Sequence, residues 1–505
     1  MPSLYLINPS APPSFFELDC AREWGATPLA AIADLVLPTL TSMAEPFFEV
    51  HVCDERLTPA SLDFDGSVVA ITGKSSQLPR MRALGDSYRR RGLTVVMGGP
   101  GVTLDPEAVR DHCDVLVTGE IEEIAEGLFS DLARGQAGDT YLGTRPELET
   151  SPIPRWSRDL VKRARLGALQ TSRGCPFQCE FCDVIQYLGR RQRFKPVANI
   201  LQELDGLLAA GASRVFVCDD NFLVHRARAR EVLEAVRDWN RRRGNFVLLA
   251  TQASIDAARD PQLLELAASA GLSEVFIGVE TPNEASLRET GKRQNVGRDL
   301  IADISRFLEH GILVHAGMMV GFDNDDPSIF ERQFAFAQES PVPLFTLSSL
   351  VAPMGTPLYA RLRREGRLED REVAFGWPWQ TNIKPAGFSL EQLVEGQRWL
   401  ANNLYAPDNY GRRLEAMARL LVGRPAPVVA CRPEAGVSTV ALQLLDRLRK
   451  RGDGERRLTE QSLRWRGTPA SEAVSKSLLI YCQVRHIYES GDFWDPSLVG
   501  TPPPR

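Results

Sequence analysis

Gly167-Ala168-Leu169-Gln170-Thr171-Ser172-Arg173-Gly174-Cys175-Pro176-Phe177-Gln178-Cys179-Glu180-Phe181-Cys182 joins a short apolar run to a cysteine-bearing turn, and its reading decides the fold. The run from Gly167 to Thr171 reads as a buried strand. The C-x3-C-x2-C turn then falls at that strand's carboxyl end, where an α/β barrel places its site. Three thiolates can hold three irons of a cubane cluster and leave the fourth iron open to an outside ligand. A zinc knot is the poorer account, because structural zinc closes four ligands and no His or fourth Cys stands nearby in sequence.

Downstream, the same alternation of apolar run and helical stretch continues. Arg214 to Cys218, Phe246 to Ala250, Val275 to Val279, Leu313 to Val320 and Pro343 to Leu347 read as strands, with helical patterns such as Ile200 to Ala210 and Pro261 to Ala270 between them. Six strand-helix units predict a partial (β/α)6 barrel over 161–365. Upstream, Leu4 to Ile7, Phe48 to Val52, Ser67 to Ile71, Thr94 to Met97 and Val115 to Val117 each end in a polar or Gly-rich turn. They predict a Rossmann-like, doubly wound parallel sheet over 1–143, with ligands outside its carboxyl ends. A Pro- and charge-rich stretch over 144–160 reads as a linker. Beyond residue 366 amphipathic helices dominate, at Leu390 to Leu404, Arg412 to Leu421 and Ser471 to Glu489, before a tail at Pro502 to Pro504. The whole is an α/β chain with a C-terminal helical region.

At 505 residues the chain exceeds one ordinary core, and a net charge of −6 offers no field for phosphate backbones, so nucleic acid is not expected. The Arg89 to Arg91 and Arg241 to Arg243 clusters read as solvated helix ends. No signal peptide and no bilayer-length apolar run is evident, which predicts a cytoplasmic location without a transmembrane segment. Nine cysteines spread over such a chain do not read as a disulfide framework. Cys20, Cys53, Cys113, Cys218, Cys431 and Cys482 read as small core fillers rather than a second cluster site. Gly73-Lys74-Ser75 lacks the earlier Gly of a P-loop, and Gly99-x-Gly101-x-x-Leu104 lacks the third Gly of a dinucleotide fingerprint.

Around the cysteine turn the sequence resembles the radical SAM superfamily, and specifically its cobalamin-binding branch, over about residues 1 to 415. The resemblance implies a [4Fe-4S] cluster on Cys175, Cys179 and Cys182, with S-adenosylmethionine (SAM) on the open iron. It implies SAM contacts at Phe181, Asp219, Asp220, Gln252, Ser254, Glu280, Gly317 and Gly321. A carboxylate at a strand end can equally be a helix N-cap. The N-terminal sheet resembles the cobalamin-binding unit of this branch, with contacts at Asp54, Thr72, Gly73, Ser75, Ser76, Gln77, Gly98, Gly99, Pro100, Gly119 and Glu120. Glycines there would let backbone approach a large planar cofactor. The turn Asp54-Glu55-Arg56-Leu57-Thr58 carries no His, so cobalamin is expected without a His ligand from the protein, and His51 reads as a packed residue.

Glu280-Thr281-Pro282, Lys292-x-Gln294-Asn295, Val320 to Asp323, Ala352 to Tyr359 and Leu404 to Tyr410 further resemble a subgroup that includes hopanoid C-methylases. What this implies is methylation of an unactivated carbon of a small-molecule or lipid-like metabolite, through methylcobalamin and a 5′-deoxyadenosyl radical, with an electron donor such as a flavodoxin. A radical enzyme with both cofactors but no methyl transfer, and a non-catalytic sensor, are the alternatives. The last ~90 residues carry no usable resemblance and are expected, within 366–505, to form a substrate cap. No catalytic acid or base is identified.

Overall fold

The computed structural model describes residues 1–15, 17–20, 29–243, 246–369, 377–422 and 435–504. Cys431 lies outside them. In chain order the strands are β1 (Ser3–Asn8), β2 (Ala30–Ile32), β3 (Glu49–Asp54), β4 (Val68–Thr72), β5 (Thr94–Gly98), β6 (Val115–Thr118), β7 (Thr140–Leu142), β8 (Ala164–Leu169), β9 (Ser172–Arg173), β10 (Arg193–Phe194), β11 (Arg214–Val217), β12 (Leu248–Gln252), β13 (Leu272–Glu280), β14 (Leu313–Val320) and β15 (Phe345–Ser349).

The first sheet is parallel, in the order β3-β1-β4-β5-β6-β7. Its central strands are apolar on both faces, and alternate residues feed two separate cores. Tyr5, Ile7, Val69, Ile71 and Met97 pack with Met81, Leu84 and Tyr88 of the helix Leu78–Arg89. Leu4, Leu6, Val68, Val96 and Val117 pack with the helices Val36–Ala44 and Ala125–Ala133. The chain leaves β1 toward β3 and returns on the other side to β4, so the topological switch point opens outside the ends of β1 and β4.

The second sheet is parallel and curls into a partial barrel, in the order β15-β14-β13-β12-β11-β8-β2. Sequence reading anticipates six of its strands. The seventh, β2, comes from the N-terminal stretch and pairs Ala30 with Ala164 and Ile32 with Leu166, covering an edge of β8 that would otherwise present unpaired backbone. The turn after β8 runs into a two-residue antiparallel pair, β9 with β10, which frames the cysteine turn.

Among the described residues, the C-terminal region is helical at Leu390–Tyr405, Pro407–Val422, Ala435–Arg449, Asp453–Ser462 and Ser471–Ser490. The last helix lies under the foot of the barrel. Its Lys476 ammonium meets Glu274 near the start of β13, and its Glu472 meets Arg214 at the start of β11. No helix among the described residues is long and apolar enough to cross a membrane.

Candidate functional site

The cysteine turn is held from three sides. Glu180 donates its backbone N–H to the Thr290 carbonyl at 2.8 Å and accepts from Leu358 N–H at 3.1 Å. The Glu180 carboxylate takes a fork from Arg361, Nε at 2.7 Å and Nη2 at 3.1 Å, while Arg361 Nη1 reaches Asp323 at 2.6 Å. Phe181 tilts against Phe322, with ring centroids 6.4 Å apart. The resembling stretches at 320–323 and 352–359 therefore support this turn.

The three thiols share one electrostatic environment. Burial raises the Cys175 thiol and pushes that of Cys182 up to about 12; Cys179 adds to both rises, and Cys175 adds to that of Cys182. Such thiols need a bound cation to become thiolates. Among the described residues no group of three or more His, Cys, Asp and Glu side chains could hold a metal ion. A cubane binds each thiolate to a different iron, so it asks for thiols set farther apart than one ion does. Gln294 adds a weak donor, its Nε2 lying 3.8 Å from Cys179 Sγ.

The strand ends divide into residues the fold consumes and residues it leaves available. Asp219 is buried and accepts from Thr171 N, Thr171 Oγ1 and Ser172 Oγ, each at 2.6 Å. Burial raises its pKa against those donors. It ties β11 to the start of the cysteine turn. Ser254 exchanges hydrogen bonds with Asn221, joining the ends of β11 and β12. Asp220 instead faces an open cavity and accepts from Gly174 N–H at 2.9 Å, and burial pushes its carboxyl up to about 7. Gln252 lines the same cavity.

Glu280 sits at φ 65°, a strained setting for a residue with a Cβ, at a register shift between β13 and β14. Its Oε1 accepts from Lys292 Nζ at 2.5 Å, and Asn295 Nδ2 holds the Gly278 and Val279 carbonyls. Lys292, also near Cys179 and Cys182, is held firmly protonated: burial opposes its charge, but Glu280 outweighs the burial. Gly317 lies against the Phe276 ring, and Gly321, at φ 105°, donates its N–H to Asp325.

The first sheet opens on a cavity of about 730 Å³ that continues into the barrel interior. Thr72, Gly98, Gly99, Pro100, Gly119 and Glu120 line it, whereas Asp54, Gly73, Ser75, Ser76 and Gln77 do not. Asp54 is buried in an ion pair with Arg56 at 2.6 Å. Gln77 is buried too, donating to Asn8 Oδ1 and the Pro9 carbonyl. Gly99 is required first by the protein itself, since at φ 102° a Cβ would sit 2.8 Å from the Gly73 backbone.

Glu120 accepts from Arg193 Nη2 at 2.6 Å, Arg193 Nη1 at 2.9 Å and Arg173 Nη1 at 2.6 Å, and Glu122 also takes Arg173 at 2.6 Å. These residues bolt the first sheet to the β9/β10 pair around the cysteines. Lys74 lines the cavity and acts electrostatically on Asp34, Asp183 and Cys218.

Two expectations are corrected. Cys218 is no simple core filler, because it lines the cavity. His51 is exposed on the edge strand β3, with its ring edge 5.6 Å from Phe64, and lies outside the cavity lining. Cys20, Cys53, Cys113 and Cys482 are buried as expected of core residues. Lys292, Gln294, Arg173 and Arg193 are site residues that motif reading leaves unassigned, although Lys292 and Gln294 stand inside a resembling stretch.

Comparison with known proteins identifies the family and the fold. The model of the radical SAM superfamily matches residues 169–334, and a domain of unknown function (DUF4070) matches 356–452. The chain is 34% identical to an uncharacterized methyltransferase, sll1242, of Synechocystis over 372 residues, 72% of this chain and 69% of that protein. It is 31% identical to the hopanoid C-2 methylase of Rhodopseudomonas palustris over 64% of this chain and 62% of that one. Among solved structures, the radical SAM methyltransferase TsrM of Kitasatospora setae, with cobalamin and a [4Fe-4S] cluster bound, superposes with a TM-score of 0.60 at 17% identity, covering 95% of this chain and 99% of TsrM. OxsB, a cobalamin-dependent SAM radical enzyme solved with aqua-cobalamin and SAM, gives 0.63 at 15%, covering 97% and 80%. Both share the fold.

Proposed function

The chain belongs to the cobalamin-binding branch of the radical SAM superfamily, the branch of the hopanoid C-methylases, and from that membership we propose that it methylates an unactivated carbon of a small-molecule or lipid-like substrate. One observation supports the reading above all: the carboxyl edges of both parallel sheets open on a single cavity, so Gly98 to Pro100 and Gly119 share a chamber with Asp220 and Gln252. A corrin laid along the first edge and SAM laid along the second would face one substrate. When bound, the cluster with SAM supplies a hydrogen-abstracting radical and cobalamin supplies the methyl group.

The residues fit those groups. Cys175, Cys179 and Cys182 offer the cluster three thiols on one buttressed turn. Asp220 offers a carboxyl poised near neutrality to the SAM side of the chamber. Lys292, held by Glu280 near Cys179 and Cys182, would offer its cation to the SAM carboxylate. Lys74 brings a cation to the corrin side, and a protonated lysine has no lone pair to offer cobalt. Residues 1–143 would serve cobalamin, 161–365 the cluster and SAM, and 366–505 the substrate end, with 144–160 as the connection. An external electron donor such as a flavodoxin completes the scheme.

Mass spectrometry of the products formed from SAM by the reconstituted, reduced protein tests the proposal. Methyl transfer yields S-adenosylhomocysteine together with 5′-deoxyadenosine. A radical enzyme that transfers no methyl yields the second alone, and formation of neither refutes both readings.

A further inference from the structure

The chamber does not end at the cofactor loops. It runs down the inside of the barrel to Arg165 of β8, Glu274 of β13, His315 of β14 and Thr346 of β15, and Ile480 and Gln483 of the last helix form its floor. Arg165 near the start of β8 and Gln170 just past its end both line it, so it runs along about 17 Å of chain. Phe216, Phe276 and Leu344 make the intervening wall apolar.

At this foot the polar groups are unevenly satisfied. Glu274 uses Oε1 on Lys476 and Oε2 on His315 Nε2, 3.3 Å away. Arg165 Nη2 lies 3.8 Å from Glu274 Oε1, an ion pair but beyond hydrogen-bond range, and is buried without an acceptor. His315 Nδ1 is likewise buried and unpartnered. Arg165, Arg214 and Lys476 carry three positive charges against two from Glu274 and Glu472, and of these five Arg165 and Glu274 line the cavity. Buried donors of this kind are normally paired, so an unpaired one on a residue that lines a cavity points to an acceptor, water or ligand, supplied from that cavity.

We infer that the foot of the chamber is a recognition subsite for a single carboxylate, with Arg165 as its anchor, so that the substrate is an elongated apolar molecule carrying one carboxylate end. The inference rests on the chamber being where substrate sits. The anchor fixes how far up the barrel the rest of the molecule extends, and so which carbon reaches the mouth. Arg165 acts as a binding and specificity residue and takes no part in the bond changes.

The test is calorimetric titration of the full chain, loaded with cluster and cobalamin, with decanoate and with decanol. A charge-assisted hydrogen bond to Arg165 predicts that decanoate binds about 10-fold tighter than decanol. Arg165→Gln should abolish that preference and leave decanol affinity unchanged, while Arg165→Lys should retain part of it. Equal affinities in the native protein, no decanoate binding, or a preference that survives Arg165→Gln overturns the inference, and the cations are then only a staple for the last helix. If Arg165→Gln binds neither compound, Arg165→Lys decides: retained preference supports the subsite and lost preference refutes it. Carboxylate preference without S-adenosylhomocysteine formation would refute methyl transfer and leave the subsite standing, and the converse result would do the reverse.

Discussion

Replacing Glu274 by Gln should destabilise the protein more than replacing its closest partner, Lys476, by Met. Both side chains are about nine-tenths buried, with 8% and 10% of their surface exposed. Glu274→Gln leaves Arg165 without its ion-pair partner, and Lys476 and Arg214 with only the half-exposed Glu472. Uncompensated buried charge of that kind costs about 3–5 kcal/mol. Lys476→Met removes one cation, yet Glu274 keeps two arginines and the His315 contact, so the loss is nearer that of one charged hydrogen bond, about 1.5–3 kcal/mol. Urea unfolding followed by tryptophan fluorescence reads this region directly, because Trp379 stacks on Phe493 at 4.1 Å and Arg485 lies over Trp494 at 3.6 Å, both just past the last helix. Burial would raise the Glu274 carboxyl, but Lys476, the hydrogen bond from His315 and Arg165 outweigh burial and hold it well below its ordinary value. Its contribution is therefore fully present above the unfolded value of 4.5 and is lost only as pH falls through the lowered folded value. The gap between wild type and Glu274→Gln should stay constant from pH 8 to about pH 5.5 and close only in stronger acid. A gap that opens or closes near neutrality, or a Lys476→Met loss equal to or larger than that of Glu274→Gln, would refute the account.

Changing Cys175, Cys179 and Cys182 together to Ala should remove the iron and sulfide while cobalamin remains bound, as elemental analysis beside the corrin absorbance would show; near-stoichiometric iron in the mutant would place the cluster elsewhere. Lys292→Met should weaken SAM binding at least 10-fold with iron content unchanged, since a buried charged hydrogen bond is worth that much, and unaltered SAM affinity would make the Glu280 pair purely structural. Arg413→Leu should cost about 3 kcal/mol or more in the same urea assay: Arg413 is fully buried and donates to the Val342, Pro343, Leu404 and Asn409 carbonyls, and leucine can serve the first three with nothing. The Co(II) form should show no nitrogen superhyperfine splitting in its paramagnetic resonance spectrum, because His51 lies outside the chamber and a protonated lysine has no lone pair to offer cobalt; a three-line splitting would mean that His51, Lys74 or the cofactor's own base is bound and would refute this account.

What could be read in the sequence was what lies close together along it. The three cysteines span eight residues, and the turns Thr72-Gly73, Gly98 to Pro100 and Asp219-Asp220 follow directly on apolar runs, so period and punctuation were enough to put them at strand ends. The partners of those residues lie far away. Glu280 meets Lys292 twelve positions on, Glu120 meets Arg193 seventy-three on, and Glu274 meets Lys476 across 202 positions. No local pattern carries such pairings, and this is why Asp219 and Glu120 looked like free ligand groups when the fold already engages them. Strand β2 escaped for another reason: Ala30-Ala31-Ile32 is too short to show a period. His51 reads as packed because it sits within a strand, but β3 is the sheet's edge and leaves His51 exposed.

The Glu120 pairing also bears on how two cofactor sites can be kept in register. Two α/β sheets joined by a Pro-rich connection would ordinarily be free to shift against each other. Here the loop that closes the first sheet's edge is clamped, through a carboxylate with 7% of its surface exposed, to Arg193, with 2% exposed, and to Arg173. Both arginines belong to the strand pair that frames the cysteine turn. Because breaking so buried a pair costs about 3–5 kcal/mol, the separation between the corrin edge and the cysteine turn is set by charge pairing rather than by the connection. In the proposed reaction a substrate radical would have to reach a methyl donor before water or protein quenches it, and a fixed separation would serve that.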